Sequence, residues 1–348
     1  MARIGVDEWV AEAAERTEAG GGLAAPLLQA WQRVRLGARF ALLAVLVAGF
    51  PFTTDSDFLI RVGINTLLLV ILAVGLNVVV GWAGLLDLGY IAFYGFGAYT
   101  YALLSSNQLD VHLPTLAAVA VVVVASALLG LLLGLPSRRL LGDYLAITTL
   151  FFGQAFVELT LNLDSITGGP NGIAGVDPFS FFGFELITPT DYYYLAGGVA
   201  LAVIAGLYLL SQSRTGRAWR AVREDPLAAE MMSMPANALK LRAFAVGAAV
   251  AGLVGSIFAA VQIGVFPRNF ETPFLILIYA AVILGGAGSL SGVTLGAVAV
   301  SAALELLRDP DQATVLFLVL LFTGLVIKLR PWQRLAAVVG GAVALGLV

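Results

Sequence analysis

One histidine, no cysteine and a single dense cluster of charge bound the chemistry open to this chain. Without cysteine there is no disulfide, no thiolate nucleophile and no cysteine-based metal site. His112 stands alone beside Pro114, so it reads as a polar loop residue rather than part of a triad or metal centre. No nucleophile, base and orienting group occur together; neither an enzyme, a metal, a cofactor nor a nucleic-acid partner is expected. No G-x-x-x-x-G-K-[ST] phosphate loop is present, so any ATP used must be hydrolysed on another polypeptide. What remains is GRAWRAVREDPLAAEMMSMPANALKLRAF, from Gly216 to Phe244, carrying Arg217, Arg220, Arg223, Glu224, Asp225, Glu230, Lys240 and Arg242.

Inside that stretch, Asp225 followed by Pro226 is a helix start: a capping side chain, then proline at the first helical position. Pro235 ends the helix, because the residue before proline resists the helical conformation. The product is a helix of about two turns from Pro226 to Met234. Ala228 and Ala229 allow another backbone to come close, and Met231, Met232 and Met234 offer flexible thioethers that suit a repacking surface. Those methionines either pack the loop on its own bundle or face a partner; the residues alone leave both open.

The elements that hold this stretch are membrane spans. The 348 residues are 60% hydrophobic and 12% charged, with a mean hydropathy of +0.95, against about 25% charged for a soluble domain. Apolar runs near 37–52, 59–82, 86–104, 115–136, 144–163, 192–211, 243–265, 273–287, 291–306 and 314–329 approach the length that crosses about 30 Å of hydrocarbon. They do not alternate as barrel strands do. The expected fold is an all-α polytopic membrane protein of about ten transmembrane helices. With both termini inside, sixteen of the nineteen Lys and Arg fall on the cytoplasmic side, and only Arg61, Arg268 and Arg308 fall outside. The charged stretch is then cytoplasmic, within a loop at 212–242. Residues 1–35 form an acidic extension, with Val6, Trp9, Val10 and Ala13 at helical spacing, and no signal peptide. A transmembrane domain at 36–334 follows, then an apolar tail at 335–348 too short for a further span.

Two glycine-rich breaks interrupt the spans. One, Gly75 to Thr100, holds Gly81, Gly84 and Gly89; the other, ILGGAGSLSGVTLGA, holds Gly285, Gly286, Gly288, Gly292 and Gly296. Both carry a Gly-x-Ala-Gly core at the cytoplasmic side, and both fit either close helix packing or an unwound backbone beside a polar path. Polar residues in the apolar field are few: Asn77, Asp87, Gln154 and Glu158. Such groups are costly in a membrane and point to function by default. Asn77, Gly84, Asp87, Gly89, Tyr90 and Gln154 are therefore the candidate lining of a translocation path. After the fifth span, Gly168, Gly169, Pro170, Asn171 and Gly172 form a dense turn signature in a shaped outer loop.

The motifs GLNVVVGWAGLLDLGYIAFYGFGAYTYALL, GDYLAITTL, TGGPNGI, GRAWRAVREDPLAA and VILGGAGSLSGVTLGA, in that order, resemble the LivM-type permease of branched-chain amino-acid ABC importers. The resemblance runs from the second span to residue 331. It implies a multi-pass permease in the cell (cytoplasmic) membrane, working with a second permease, two ABC ATPases and an extracytoplasmic amino-acid-binding protein. The helix after Asp225 would be the coupling helix, with Arg217, Arg220, Arg223, Glu224, Asp225, Leu227, Ala228, Ala229, Met231 and Met232 meeting the ATPase. The family commonly has glycine at Ser233, glutamate at Gln154 and arginine at Val157. A urea or short-amide importer permease is the alternative within the class, though that branch tends to show Ser-Leu-Gly-His where this chain has Asp87, Leu88, Gly89 and Tyr90. A self-contained secondary transporter is the reading from outside it.

Overall fold

The computed structural model describes residues 43–45, 47–54, 56–137, 143–181 and 183–308. The extension at 1–35, the tail at 335–348, the expected span at 314–329 and Arg138 and Arg139 lie outside the described residues. The chain divides into two compact units, Met1–Thr53 and Thr54–Val348. In the first, a 3-10 turn covers Phe50–Thr53. The second contains the elements that follow.

It is built almost wholly of helices: α1 (Asp57–Asn77), α2 (Tyr90–Leu104), α3 (Thr115–Ser137), α4 (Asp143–Asn162), α5 (Pro189–Gln212), α6 (Arg214–Glu224), α7 (Pro226–Met231), α8 (Ala236–Gln262), α9 (Thr272–Gly285) and α10 (Leu290–Leu306). Four two-residue strands, β1 (Ile173–Ala174), β2 (Ser180–Phe181), β3 (Phe184–Glu185) and β4 (Gly264–Val265), make two antiparallel pairs, β1 with β4 and β2 with β3. Among the described residues six helical segments are long and apolar enough to cross a membrane. The chain is an all-α polytopic membrane protein.

Three helices form the centre. In α1 every residue from Leu67 to Asn77 is buried, α2 is buried over most of its length, and α8 packs on α1, α2 and α3. A continuous apolar run has no polar face to turn outward, so it is either interior or against lipid. Glycine brings α2 and α8 together. A Cβ on Gly97 would run into the backbone of Gly252, and one on Gly255 would lie 2.6 Å from the Ala98 nitrogen. Close backbone approach of this kind drives helix association where lipid removes the hydrophobic drive.

Several expected spans are shorter or longer in the structure. The run at 86–104 becomes helix only from Tyr90, and α2 at 15 residues is about 22 Å long. α9, with 14 residues, reaches only about 21 Å, and the turn Pro267–Phe270 extends it to a 19-residue segment long enough to cross; α10 matches its expected run, and its 17 residues reach about 26 Å. The span expected from 243 starts at Ala236, because Ala236 to Arg242 are helix-tolerant after Pro235 and charge does not end a helix. The span expected at 192 starts at Pro189, where Thr188 and Asp191 form a reciprocal capping box.

Gly97→Ala should therefore force α2 from α8 and lower the amount of folded chain recovered from membranes. Gly198→Ala, where a Cβ meets nothing within 4 Å, should be neutral or stabilising by up to about 1 kcal/mol from helix propensity. Thermal denaturation of the two purified variants, read as monodisperse protein surviving heating, separates them; equal behaviour would contradict this packing.

Candidate functional site

The two Gly-x-Ala-Gly breaks meet each other. α1 ends at Asn77 and passes into a π-helical turn, Val78–Trp82, a rare form that is frequent at functional sites. The Trp82 indole donates to the Gly288 carbonyl at 3.0 Å, and the Gly288 amide donates to Asn77 Oδ1 at 2.7 Å. A Cβ on Gly81 would lie 2.5 Å from the Gly288 nitrogen. Gly84 and Gly288 hold φ of +69° and +101°, a region that side chains disfavour. Glycine thus serves both purposes: packing along α2, α8, α9 and α10, and tight turns at the breaks.

Between Gly84 and Tyr90 the backbone is irregular, and side chains from other helices fill its hydrogen bonds. Thr149 Oγ1 on α4 accepts from the Leu88 amide at 2.9 Å, Asp87 Oδ1 accepts from the Gly89 amide at 3.0 Å, and the Tyr279 hydroxyl on α9 donates to the Asp87 carbonyl at 2.6 Å. Asn77, Asp87 and Tyr90 are fully enclosed. Asn77 Nδ2, Asp87 Oδ2 and Tyr90 Oη have no hydrogen-bond partner. Of the candidate path residues, Asn77, Gly84, Asp87, Gly89 and Tyr90 come together at the break, with Gly84 exposed. Gln154 is elsewhere: it faces outward on α4 and donates to Thr272 Oγ1 at 2.5 Å.

The charged stretch folds as α6, α7 and the start of α8 rather than around one short helix. Sequence reasoning missed α6; its signal was Gly216, Trp219 and Val222 recurring every third residue, and these are its buried positions. Ser213 caps it, accepting from the Gly216 amide at 3.3 Å. Trp219 is buried, donates to the Leu239 carbonyl at 2.7 Å, and stacks on Trp82 with ring centroids 6.3 Å apart. The arginines expected to meet an ATPase are exposed, and each also bonds a carbonyl of its own chain. Arg217 donates to the Gln212 carbonyl at 2.6 Å, Arg220 to that of Ser211 at 3.0 Å, and Arg223 to that of Gly81. The first two carbonyls are unpaired ends of α5, where cations bind well.

α7 begins as expected, with Asp225 Oδ1 accepting from the amides of Leu227 at 2.9 Å and Ala228 at 3.0 Å. It ends earlier than expected, at Met231 rather than Met234. Ser233 breaks it with φ of +61°, and the Met234 amide closes onto the Ala229 carbonyl at 3.0 Å. This is the left-handed helix end that glycine normally supplies. Leu227, Met231 and Met232 are 71%, 87% and 75% exposed, while Ala229 is buried. Glu224 and Ala228 are also exposed. Met231 and Met232 do not pack the loop on its own bundle, whereas Met234 is half-buried.

At the opposite end, Gly168 closes a single turn at Asp164–Thr167, Gly169–Asn171 forms a 3-10 turn, and Gly172 leads into β1. Ile173 pairs with Val265 and Ala174 with Gly264, so the outer loop is tied to the end of α8. His112 is a polar loop residue, with Nδ1 at 2.5 Å from Asp177 Oδ2 and Nε2 at 3.0 Å from Asn107 Oδ1.

Ser233→Gly should stabilise the α7 end by about 1 kcal/mol, and Ser233→Val should destabilise it by about 1–3 kcal/mol. Limited proteolysis across residues 225–236 would check this; cleavage rates unaffected by either change would contradict it.

Residues 58–329 match the family described as "Branched-chain amino acid transport system / permease component". The chain is 38% identical over 314 residues to the high-affinity branched-chain amino acid transport system permease protein LivM of Escherichia coli (strain K12), covering 84% of this chain and 72% of that one. It is 38% identical over 318 residues, with the same coverage, to LivM of Salmonella typhimurium. It is 27% identical over 226 residues to a probable LivM of Methanocaldococcus jannaschii, covering 61% of this chain and 65% of that one. No solved structure matches the chain. With the model spanning residues 58–329 and those identities over most of its length, the chain belongs to the branched-chain amino-acid transport permease family.

Proposed function

We propose that this chain is the permease subunit through which an ABC importer of the cell membrane moves branched-chain amino acids, with ATP hydrolysed on two separate subunits seated at α7. The cargo is that of the E. coli and Salmonella relatives, named as branched-chain amino acid transport permeases, which do not favour the urea or short-amide reading. An extracytoplasmic binding protein would deliver it to the end carrying β1 and β4. No phosphate loop occurs in the chain, which supports placing ATP hydrolysis on separate subunits.

The observation that carries this reading is the exposed apolar face of α7. Leu227, Ala228, Met231 and Met232 stand clear of the bundle on a helix capped at both ends. Arg214, Arg217, Arg220, Arg223, Lys240 and Arg242 lie in the same segment, while Arg61, Arg268 and Arg308 fall at the far ends of their helices. That asymmetry supports a cytoplasmic α7. In water a cluster of that composition is an interaction surface. Burying one methionine contributes roughly 1.5–3 kcal/mol, so the apolar residues outweigh the surface charges, worth about 0–1 kcal/mol per pair.

The path is assigned to the outward face of α4, where Gln154, Glu158 and Asn162 follow one another at helical spacing and are exposed. An ionisable group turned to lipid is costly. That face therefore looks onto a polar space shared with a second permease. Asn77, Asp87, Gly89 and Tyr90 then hold the break that shapes the inner mouth, and Gly84 lies at its edge.

Ala228→Arg and Met231→Asp should each release the ATPase or uncouple hydrolysis from uptake, with membrane abundance unchanged. Co-purification of ATPase with each variant, together with uptake in proteoliposomes, is the test. Variants that retain ATPase and transport normally would sink the assignment.

A further inference from the structure

Arg223 lies where the charged loop meets both glycine breaks. Its guanidinium donates to the Gly81 carbonyl. Its stem crosses Gly84, where an added Cβ would lie 2.7 Å from Arg223 Cγ, and its Nη1 is 3.0 Å from the place a Cβ would take on Gly288. Two glycines, one from each break and remote in sequence, thus clear the space for one side chain, and a third, Gly81, supplies its acceptor. The Trp82–Trp219 stack runs beside it and binds the same elements, through the Gly288 and Leu239 carbonyls. Asn77 completes the junction from the α1 side, holding the Gly288 amide.

We propose that Arg223 is a positioning residue that locks the α6–α7 pair to both breaks, so that movement at α7 shifts the Gly81–Gly84 and Gly285–Gly288 turns together as one body. This rests on the reading of α7 as the ATPase seat. The physical reason is the lack of slack. A planar guanidinium has a fixed donor fork, its acceptor is a carbonyl freed by the π-turn, and the backbones around it are too close for either break to move alone. A rotation of α6 must carry Gly81 and Gly84 with it, and the Trp82–Gly288 and Asn77–Gly288 bonds carry the second break. Arg217 and Arg220 differ, since each binds only the adjacent end of α5.

The test uses the assembled transporter in proteoliposomes. Arg223→Ala is expected to keep the ATPase bound while amino-acid uptake per ATP hydrolysed falls at least tenfold, and Arg223→Lys, which retains a donor within reach, is expected to recover a large part of it. A merely structural role would not separate uptake per ATP from ATPase binding. The chain has no cysteine, so Leu86→Cys with Glu224→Cys gives a clean spin-labelled pair across the junction in case Arg223→Ala does not assemble. With Arg223 present, the distance between those labels should stay constant between nucleotide-free and ATP-bound states. Normal uptake per ATP in Arg223→Ala, or a label distance that changes through the cycle, would overturn the proposal. Ala228→Arg distinguishes the two levels: if it releases the ATPase while Arg223→Ala transports normally, the seat stands and the relay fails.

Discussion

A backbone that leaves the helix inside an apolar bundle must find hydrogen-bond partners without water, and this constraint governs the centre of the molecule. From Val78 to Gly89 the chain abandons regular α-helix. The groups thus freed are met by Thr149, Tyr279, Asp87 and Arg223, which come from α4, α9, the segment itself and α6. Each of these helices is placed so that one polar side chain reaches the break. The glycines follow from the same need, since only a backbone without Cβ allows Gly81 and Gly288 to approach as they do.

The chemistry of the charged loop is inverted from what its composition implies. Arginine, the most polar residue there, bonds its own chain: Arg217, Arg220 and Arg223, though exposed, each donate to one of its carbonyls. The apolar Leu227, Met231 and Met232 are exposed beside them, with no partner in the bundle. A charged hydrogen bond to a freed carbonyl is strong and directional, whereas an exposed ion pair with a partner contributes little. The arrangement spends the arginines on rigidity and leaves association to apolar area, the effective division for a helix that must both hold its shape and bind.

Much of this was legible in the sequence, for identifiable reasons. Apolar runs gave the spans because length against bilayer thickness is a strong signal. Asp225-Pro226 gave the start of α7 because the cap depends on one local residue. The end of α7 was misplaced by three residues because Ser233 takes a left-handed conformation that serine does not advertise. α6 went unseen because four arginines, Arg214, Arg217, Arg220 and Arg223, hid the spacing of Gly216, Trp219 and Val222. The Gly-x-Ala-Gly pair was visible as a repeat, but its contact was not, since Trp82 and Gly288 are joined across 206 positions. Glu158 and Gln154 could be flagged as polar in an apolar run, whereas their outward direction needed the packing of α4.

The central claim is that side chains from neighbouring helices satisfy the broken backbone, and the Asn77–Gly288 bond, made by a fully enclosed side chain, is its most direct instance. Hydrogen–deuterium exchange of the peptide spanning residues 282–297, compared between the native chain and Asn77→Ala, measures it. The account predicts slow exchange at the Gly288 amide in the native chain and at least a tenfold acceleration in the variant. Fast exchange in both, or protection unchanged by loss of the Asn77 side chain, would contradict it.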